Sequence, residues 1–251
     1  MNCNNDIKLL FLKDLKKYKN KALAKYHAKY FQTQMGGYGE GDFFWGLRVP
    51  QQRVVALKYL EAMKLDDVEE LLKNKVHEVR FAALVVLVER YRRASDWDKI
   101  NIVRIYLRNS NYINNWDLVD SSAANILGHY WYNSSLSNLW EYAKSSNLWK
   151  ERTAMVSTLY FIKQKRFIET FQLAKMFLVH KHDLIHKASG WMLREVGKKS
   201  MKSLISFLDK YSKMMPRTML RYSIELLPLE QRKYYLQKDR IKNRVSYFSN
   251  T

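Results

Sequence analysis

An all-α fold of stacked helix pairs is what this sequence predicts, and three observations carry it. Only three prolines occur in 251 residues, Pro50, Pro216 and Pro228, and five of the eight glycines lie in one segment, too little punctuation for an all-β chain. Elsewhere apolar residues recur at helical spacing, as in VRFAALVVLVERYRRA from Val79 and LISFLDKYSKMM from Leu204. RFAAL from Arg80, WDLVD from Trp116, RTAMV from Arg152, KASGW from Lys187 and RYSIE from Arg221 align at spacings of 36, 36, 35 and 34 residues. A helix pair of that length is too small to bury its own apolar face, so successive pairs must stack into a curved α-solenoid of HEAT type.

The elements follow in chain order within a single domain. Residues 1–50 hold N-terminal helices and a glycine-rich loop. The first twenty residues contain only the short apolar stretch Leu9–Leu12 before a group of lysines, and no run approaches the ~18 apolar residues of a membrane span. MGGYGEGDFFWG contains Gly36, Gly37, Gly39, Gly41 and Gly46. It lacks the Gly-Lys-Ser/Thr ending of a phosphate loop and no strand precedes it, so it reads as a plain loop. Tyr30 and Tyr38 flank it; reach into a binding cleft is one reading of them and packing the better one. Residues 51–227 carry the stacked repeats, a dozen or more short helices joined by turns such as LDD, SDWD and KSSN, with LVVLV at 84–88 in the core. HKHDLIH brings His180, His182 and His186 close in sequence. Residues two apart do not share a helix face and no cysteine assists, which favours a turn with solvated imidazoles over a metal site. Residues 228–251 form basic C-terminal helices.

Composition bounds the function. A chain that is 47% apolar can bury a substantial core without disulfides. Cys3 is the only cysteine, which excludes a disulfide framework and a multi-cysteine metal centre and fits a reducing, cytoplasmic setting. No cofactor is called for, and a monomer suffices. The net charge of +20 calls for a polyanion, nucleic acid first and an acidic membrane surface second. The basic residues are interleaved with seven Trp and seventeen Tyr, which favours a folded basic surface over a flexible arm.

The repeat also sorts the unusual residues. Arg80, Trp116, Arg152, Lys187 and Arg221 share one register position, and Leu84, Asp120, Val156, Trp191 and Glu225 lie one turn further on the same helix face. If the second helices of the pairs line the concave side, Trp116, Asp120, Arg152, Lys187 and Trp191 share a cleft, with Arg194 one turn beyond. Each also has a plainer reading. A tryptophan at a helix start packs, and Asp120 caps a helix or pairs with a neighbouring arginine. Asp117 reads as structural, a carboxylate meeting the helix N-terminal dipole. Arg80, Lys187 and Arg221 read as solvated charges that a phosphate backbone can also use.

YGEGDFFWGLRVPQQR at 38–53, NNWDLVD at 114–120, WKERTAM at 149–155 and KASGWMLREVGK at 187–198 together resemble the AlkD-type DNA alkylation repair glycosylases, over roughly residues 21–227. The resemblance implies excision of cationic N3- or N7-alkylated purines from double-stranded DNA, without flipping the lesion into a pocket. It matches Trp116 to the aromatic that opens the catalytic helix and Asp120 to the catalytic carboxylate. It matches Arg152 to the arginine of the next repeat, Trp191 to a second cleft tryptophan and Arg194 to a further cleft arginine. Arg80 and Lys187 join Arg152 and Arg194 as candidates for the DNA backbone. The glycine-rich insertion and the basic C-terminus depart from the family pattern at its periphery.

The chemistry is coherent without the name. A cationic alkylpurine needs no general acid to leave, and positive charge develops on the deoxyribose. A carboxylate stabilises that charge and positions water, indoles attract the cation through their faces, and arginine holds the adjacent phosphate. The competing readings are a non-catalytic DNA-binding module on the same helices and a protein- or membrane-binding scaffold, for which an aromatic–acid cleft has no purpose.

Overall fold

A computed structural model describes residues 7–237 of the chain. Cys3 and the basic segment 238–251 lie outside the described residues. Fifteen α-helices account for the described fold, and its only β-type contact is an isolated bridge between Phe43 and Val76. The chain divides after Tyr160 into two compact units.

The first unit contains α1 (Ile7–Lys16), α2 (Lys21–Tyr30), α3 (Val49–Lys58), α4 (Leu65–Leu72), α5 (His77–Arg93), α6 (Asp96–Arg108), α7 (Trp116–Ala123), α8 (His129–Tyr132), α9 (Ser137–Ala143) and most of α10 (Leu148–Lys163). Helix α5 packs against α3, α4, α6 and α7. It is buried on nearly every side, including all of Leu84–Val88. A helix apolar around most of its circumference belongs inside, where each fully buried Leu, Val or Phe contributes about 1.5–3 kcal/mol. Phe11, Leu15, Leu47, Met63, Leu72, Ile102, Tyr106 and Trp131 complete this core.

Between α7 and α8 the chain stays helical but widens into a π-turn over Ala124–Gly128. Gly128 then meets α10 so closely that a Cβ there would fall 2.4 Å from the Ser157 carbonyl oxygen.

The second unit contains the end of α10 with α11 (Ile168–Met176), α12 (Asp183–Lys199), α13 (Met201–Tyr211), α14 (Arg217–Ser223) and α15 (Leu229–Gln237). Helix α12 is its centre, packed against α11, α13 and α14. Ile185, Met192, Leu193 and Val196 supply its buried face.

The period read from the sequence coincides with this element order. Arg80, Trp116, Arg152, Lys187 and Arg221 each fall within the first five residues of α5, α7, α10, α12 and α14, and each of those helices follows a partner, α4, α6, α9, α11 or α13. Two of the three turns differ from expectation. LDD forms the first turn of α4, where Asp67 accepts the Lys64 backbone N–H at 3.0 Å. SDWD opens α6, with the Ser95 hydroxyl accepting the Asp98 N–H at 3.3 Å. Acidic residues and serine satisfy a helix's unpaired N–H groups, so they mark its start as readily as a turn. KSSN is a turn, between α9 and α10.

The glycine-rich segment is a loop, and a heavily anchored one. The buried Glu78 carboxylate accepts the backbone N–H groups of Trp45, Gly46 and Leu47 at 3.0, 2.8 and 3.1 Å. Gly46 has φ +81°, and a Cβ there would meet the Asn20 carbonyl at 2.1 Å.

Candidate functional site

Helix α7 begins where Asn115, in extended conformation, caps it by accepting the Trp116 N–H at 2.8 Å. Trp116 and Asp120 are one turn apart and so share a face. From α10, Arg152 meets Asp120 in a two-pronged contact, Nε donating to Oδ1 at 2.9 Å and Nη2 to Oδ2 at 2.7 Å. The Arg152 side chain is 5% exposed and that of Asp120 20%, so the carboxylate keeps an edge open beside a buried cation. Burial pushes the Asp120 carboxyl above its ordinary value and Arg152 opposes that rise. The forked geometry is that of a carboxylate anion.

Trp116 lies in an aromatic cluster. Its ring stacks on Phe31 at 5.3 Å, Phe31 stacks on Phe44 at 5.1 Å, and Phe44 stacks on the His77 imidazole at 4.6 Å. Tyr30 meets Trp116 edge-on at 6.1 Å. Tyr30 packs, as expected, against Phe31 and Trp116, and leaves about half of its surface exposed. Tyr38 donates its hydroxyl to the Tyr30 carbonyl at 3.0 Å and meets the Trp149 ring edge-on.

Beneath this cluster is a charged network that sequence reasoning missed. His77 contacts Asp42 through Nδ1 at 2.9 Å and Asp117 through Nε2 at 2.8 Å, and its side chain is 2% exposed. Burial alone would lower its pKa, but Asp117 and Asp42 outweigh burial and raise it to about 9. Burial likewise opposes ionisation of Asp42, and His77 with Arg80 overcomes it, holding that carboxyl below its ordinary value. Asp117 and Arg80 stand out singly in the sequence, but nothing there joins them to His77 or to Asp42 in the glycine-rich loop.

Arg80 requires a correction. It is no solvated charge: it is buried, with Nη2 donating to Asp42 Oδ1 at 2.5 Å and Asn114 Oδ1 at 3.0 Å, and Nη1 to the Asn74 and Lys75 carbonyls at 3.0 and 3.3 Å. Its place on the enclosed helix α5 turns the guanidinium inward, where it supports the loop and the Asn114–Asp117 segment.

In the second unit α12 carries Lys187, Trp191 and Arg194. Lys187 pairs with Asp183 at 3.0 Å, the half-buried Trp191 donates Nε1–H to Glu195 at 3.1 Å, and Arg194 pairs with Glu225. Arg221 is exposed, as expected. The histidines serve the backbone: His182 Nδ1 accepts the Leu184 N–H at 3.1 Å, and His186 Nε2 reaches the His180 carbonyl at 2.6 Å.

The His77 network carries a pH dependence. The pKa raised from 6.5 to about 9 means that the folded state holds a proton more tightly than the unfolded chain. This contribution, on the order of 3 kcal/mol, is fully present below pH 6.5 and is lost as pH rises through about 9. Thermal melts from pH 6.5 to 9.5 should show a falling midpoint, and His77→Gln should flatten that slope.

The site thus holds a carboxylate with an exposed edge beside a buried guanidinium, in a chain of net charge +20. The chain belongs to the DNA alkylation repair enzyme family, whose model matches residues 11–227. It is similar in fold to a solved structure described as a predicted DNA alkylation repair enzyme from Enterococcus faecalis, at 16% identity and a TM-score of 0.64, over 84% of this chain and 97% of that one. A comparison with curated proteins finds no match.

Proposed function

We propose that this chain is a DNA glycosylase that removes cationic N3- and N7-alkylated purines from duplex DNA by hydrolysing the N-glycosidic bond, without extruding the base. The observation that carries it is the Asp120–Arg152 fork: a carboxylate with one open edge, held rigidly by a cation from the next repeat, in a strongly basic member of a DNA alkylation repair family. The alkylated base leaves as a neutral purine, so the enzyme has only to stabilise positive charge growing on the sugar and to orient water. A preorganised carboxylate does both. Arg152 orients Asp120 in the free protein and holds a phosphate in the complex. Trp116 presents an indole to the cationic nucleotide, and Trp191 supplies another, with Lys187 and Arg194 serving the backbone. The stacking of helix pairs into a HEAT-like solenoid belongs to the same proposal, supported by the 34–36-residue period and the matching helix order.

The test is release of bases from methylated duplex DNA, resolved by chromatography. Appearance of 3-methyladenine and 7-methylguanine with matching abasic sites is the expected result, and neither product would overturn it. One observation favours a second reading: Asp120 and Arg152 already neutralise each other, as they would in a merely structural bridge. A DNA-binding module without chemistry would retain methylated duplex and leave it intact.

The two tryptophans should separate in behaviour. Trp191→Ala should slow excision with a small change in melting temperature. Trp116→Ala should lower both, because it also removes the ring stacked on Phe31. Single-turnover rates and thermal melts on the same preparations check this.

A further inference from the structure

The first unit holds a cavity of about 620 Å³ away from the carboxylate, where the turn between α1 and α2 meets the start of α3. Lys17, Lys19 and Arg48 line it together with Tyr18, Tyr26 and Gln51, and no carboxylate does. Asp14 reaches Lys17 at 2.6 Å. Lys19 and Arg48 have no ion pair among the described residues, so their charge faces the opening uncompensated. The Trp45 ring gathers Lys19 and Lys16, whose Nζ atoms stand 4.3 and 5.7 Å from its centroid.

The cavity connects to the candidate site through aromatic rings. Tyr26, on the cavity wall and 60% exposed, stacks on Tyr30, 52% exposed, at 5.9 Å and 14°. Tyr30 then meets Trp116 at 6.1 Å, which puts Tyr26 within about 12 Å of the tryptophan. Large exposed rings in a row, flanked by uncompensated cations, are what a nucleic-acid strand uses for stacking and charge neutralisation. At 3.4 Å of axial rise per nucleotide of one strand, this puts the cavity wall at Tyr26 no more than roughly three to four nucleotides from Trp116.

We propose that this cavity is a second phosphate subsite, which takes a phosphodiester of the same DNA whose lesion faces Trp116 and Asp120. This rests on the DNA reading above, though not on the glycosylase chemistry. It gives the α1–α2 turn a function: Lys19 and Arg48 grip the flanking backbone and set how far along the duplex the lesion is presented.

The experiment uses the full chain and an undamaged fluorescent duplex of 20 base pairs, with anisotropy read across a salt series. Both changed side chains are exposed, and a thermal melt confirms the fold of Lys19→Gln/Arg48→Gln. The expected result on the 20-mer is an affinity roughly tenfold or more weaker at ~0.1 M salt, with the log–log salt slope shallower by about 2, because each lost phosphate contact removes about 0.9. Lys19→Arg/Arg48→Lys should restore the slope. An unchanged slope on the 20-mer overturns the subsite while leaving the glycosylase reading intact. An unmodified protein that fails to bind duplex overturns both. A parallel arm with phosphatidylserine vesicles separates the sources of phosphate: loss of vesicle binding with DNA binding unchanged overturns the proposal in favour of a lipid headgroup.

Discussion

In single-turnover release of 7-methylguanine, Asp120→Asn is expected to excise about 10²–10³ times more slowly than the unmodified protein while binding undamaged duplex at least as tightly. The rate loss is what removal of one preorganised charge opposite a developing cation costs, about 3–4 kcal/mol. Binding should hold or improve because the change removes a negative charge from a chain of net charge +20. The Asp120–Arg152 contact adds a stability component. Arg152 is buried and donates twice to Asp120, and an asparagine can accept only through its one oxygen. The melting temperature should therefore drop modestly, by the equivalent of about 1–3 kcal/mol. Asp117→Asn is the control. It removes the negative charge that pairs with His77 and should lower stability more than Asp120→Asn does, with a smaller effect on the rate of the folded fraction. Equal excision rates for Asp120→Asn and the unmodified protein would remove Asp120 from the chemistry.

His77→Leu should produce the largest loss of stability of any single change considered, on the order of 3–5 kcal/mol. The imidazolium stands between Asp42 and Asp117, and its removal leaves Asp117 without its cation and Asp42 with Arg80 and the Asn115 amide. For a chain of this length such a loss lowers the melting temperature by about 10 °C. Adding Asp117→Asn to His77→Leu should cost much less than the two single changes summed, because the second change removes the carboxylate that the first left exposed. Strict additivity in that double-mutant cycle would show that the contact carries no coupling.

What was legible in the sequence follows from local physics. The 3.6-residue spacing of apolar side chains reports helices directly, and the 34–36-residue period reports their pairing, so the five anchors landed at the starts of successive second helices. The meeting of Asp120 and Arg152 was legible for the same reason, since residues one repeat apart on stacked helices become neighbours. Arg80 was misread because the rule that charges face water yields whenever a partner is built inside. That partner, Asp42, lies 38 residues upstream in a segment without periodicity. His77 was missed on the same ground: its partners come from a loop and from the next repeat. LDD and SDWD were misread because helix caps and turns use the same residue types.

The π-turn at Ala124–Gly128 has a consequence for how this helix can vary. A π-turn amounts to one residue inserted into an α-helix, and one residue is about 100° of rotation about the axis. Ahead of it Asp120 meets Arg152, and at its end Gly128 lies against the Ser157 carbonyl. Both ends thus engage the same neighbouring helix, and the wider turn takes up the extra residue so that neither end rotates away from α10. An extra residue wound as ordinary helix on either side would instead turn one end by about 100°. Homologous chains and engineered variants should therefore accept a one-residue change in length at 124–128 more readily than elsewhere along this helix.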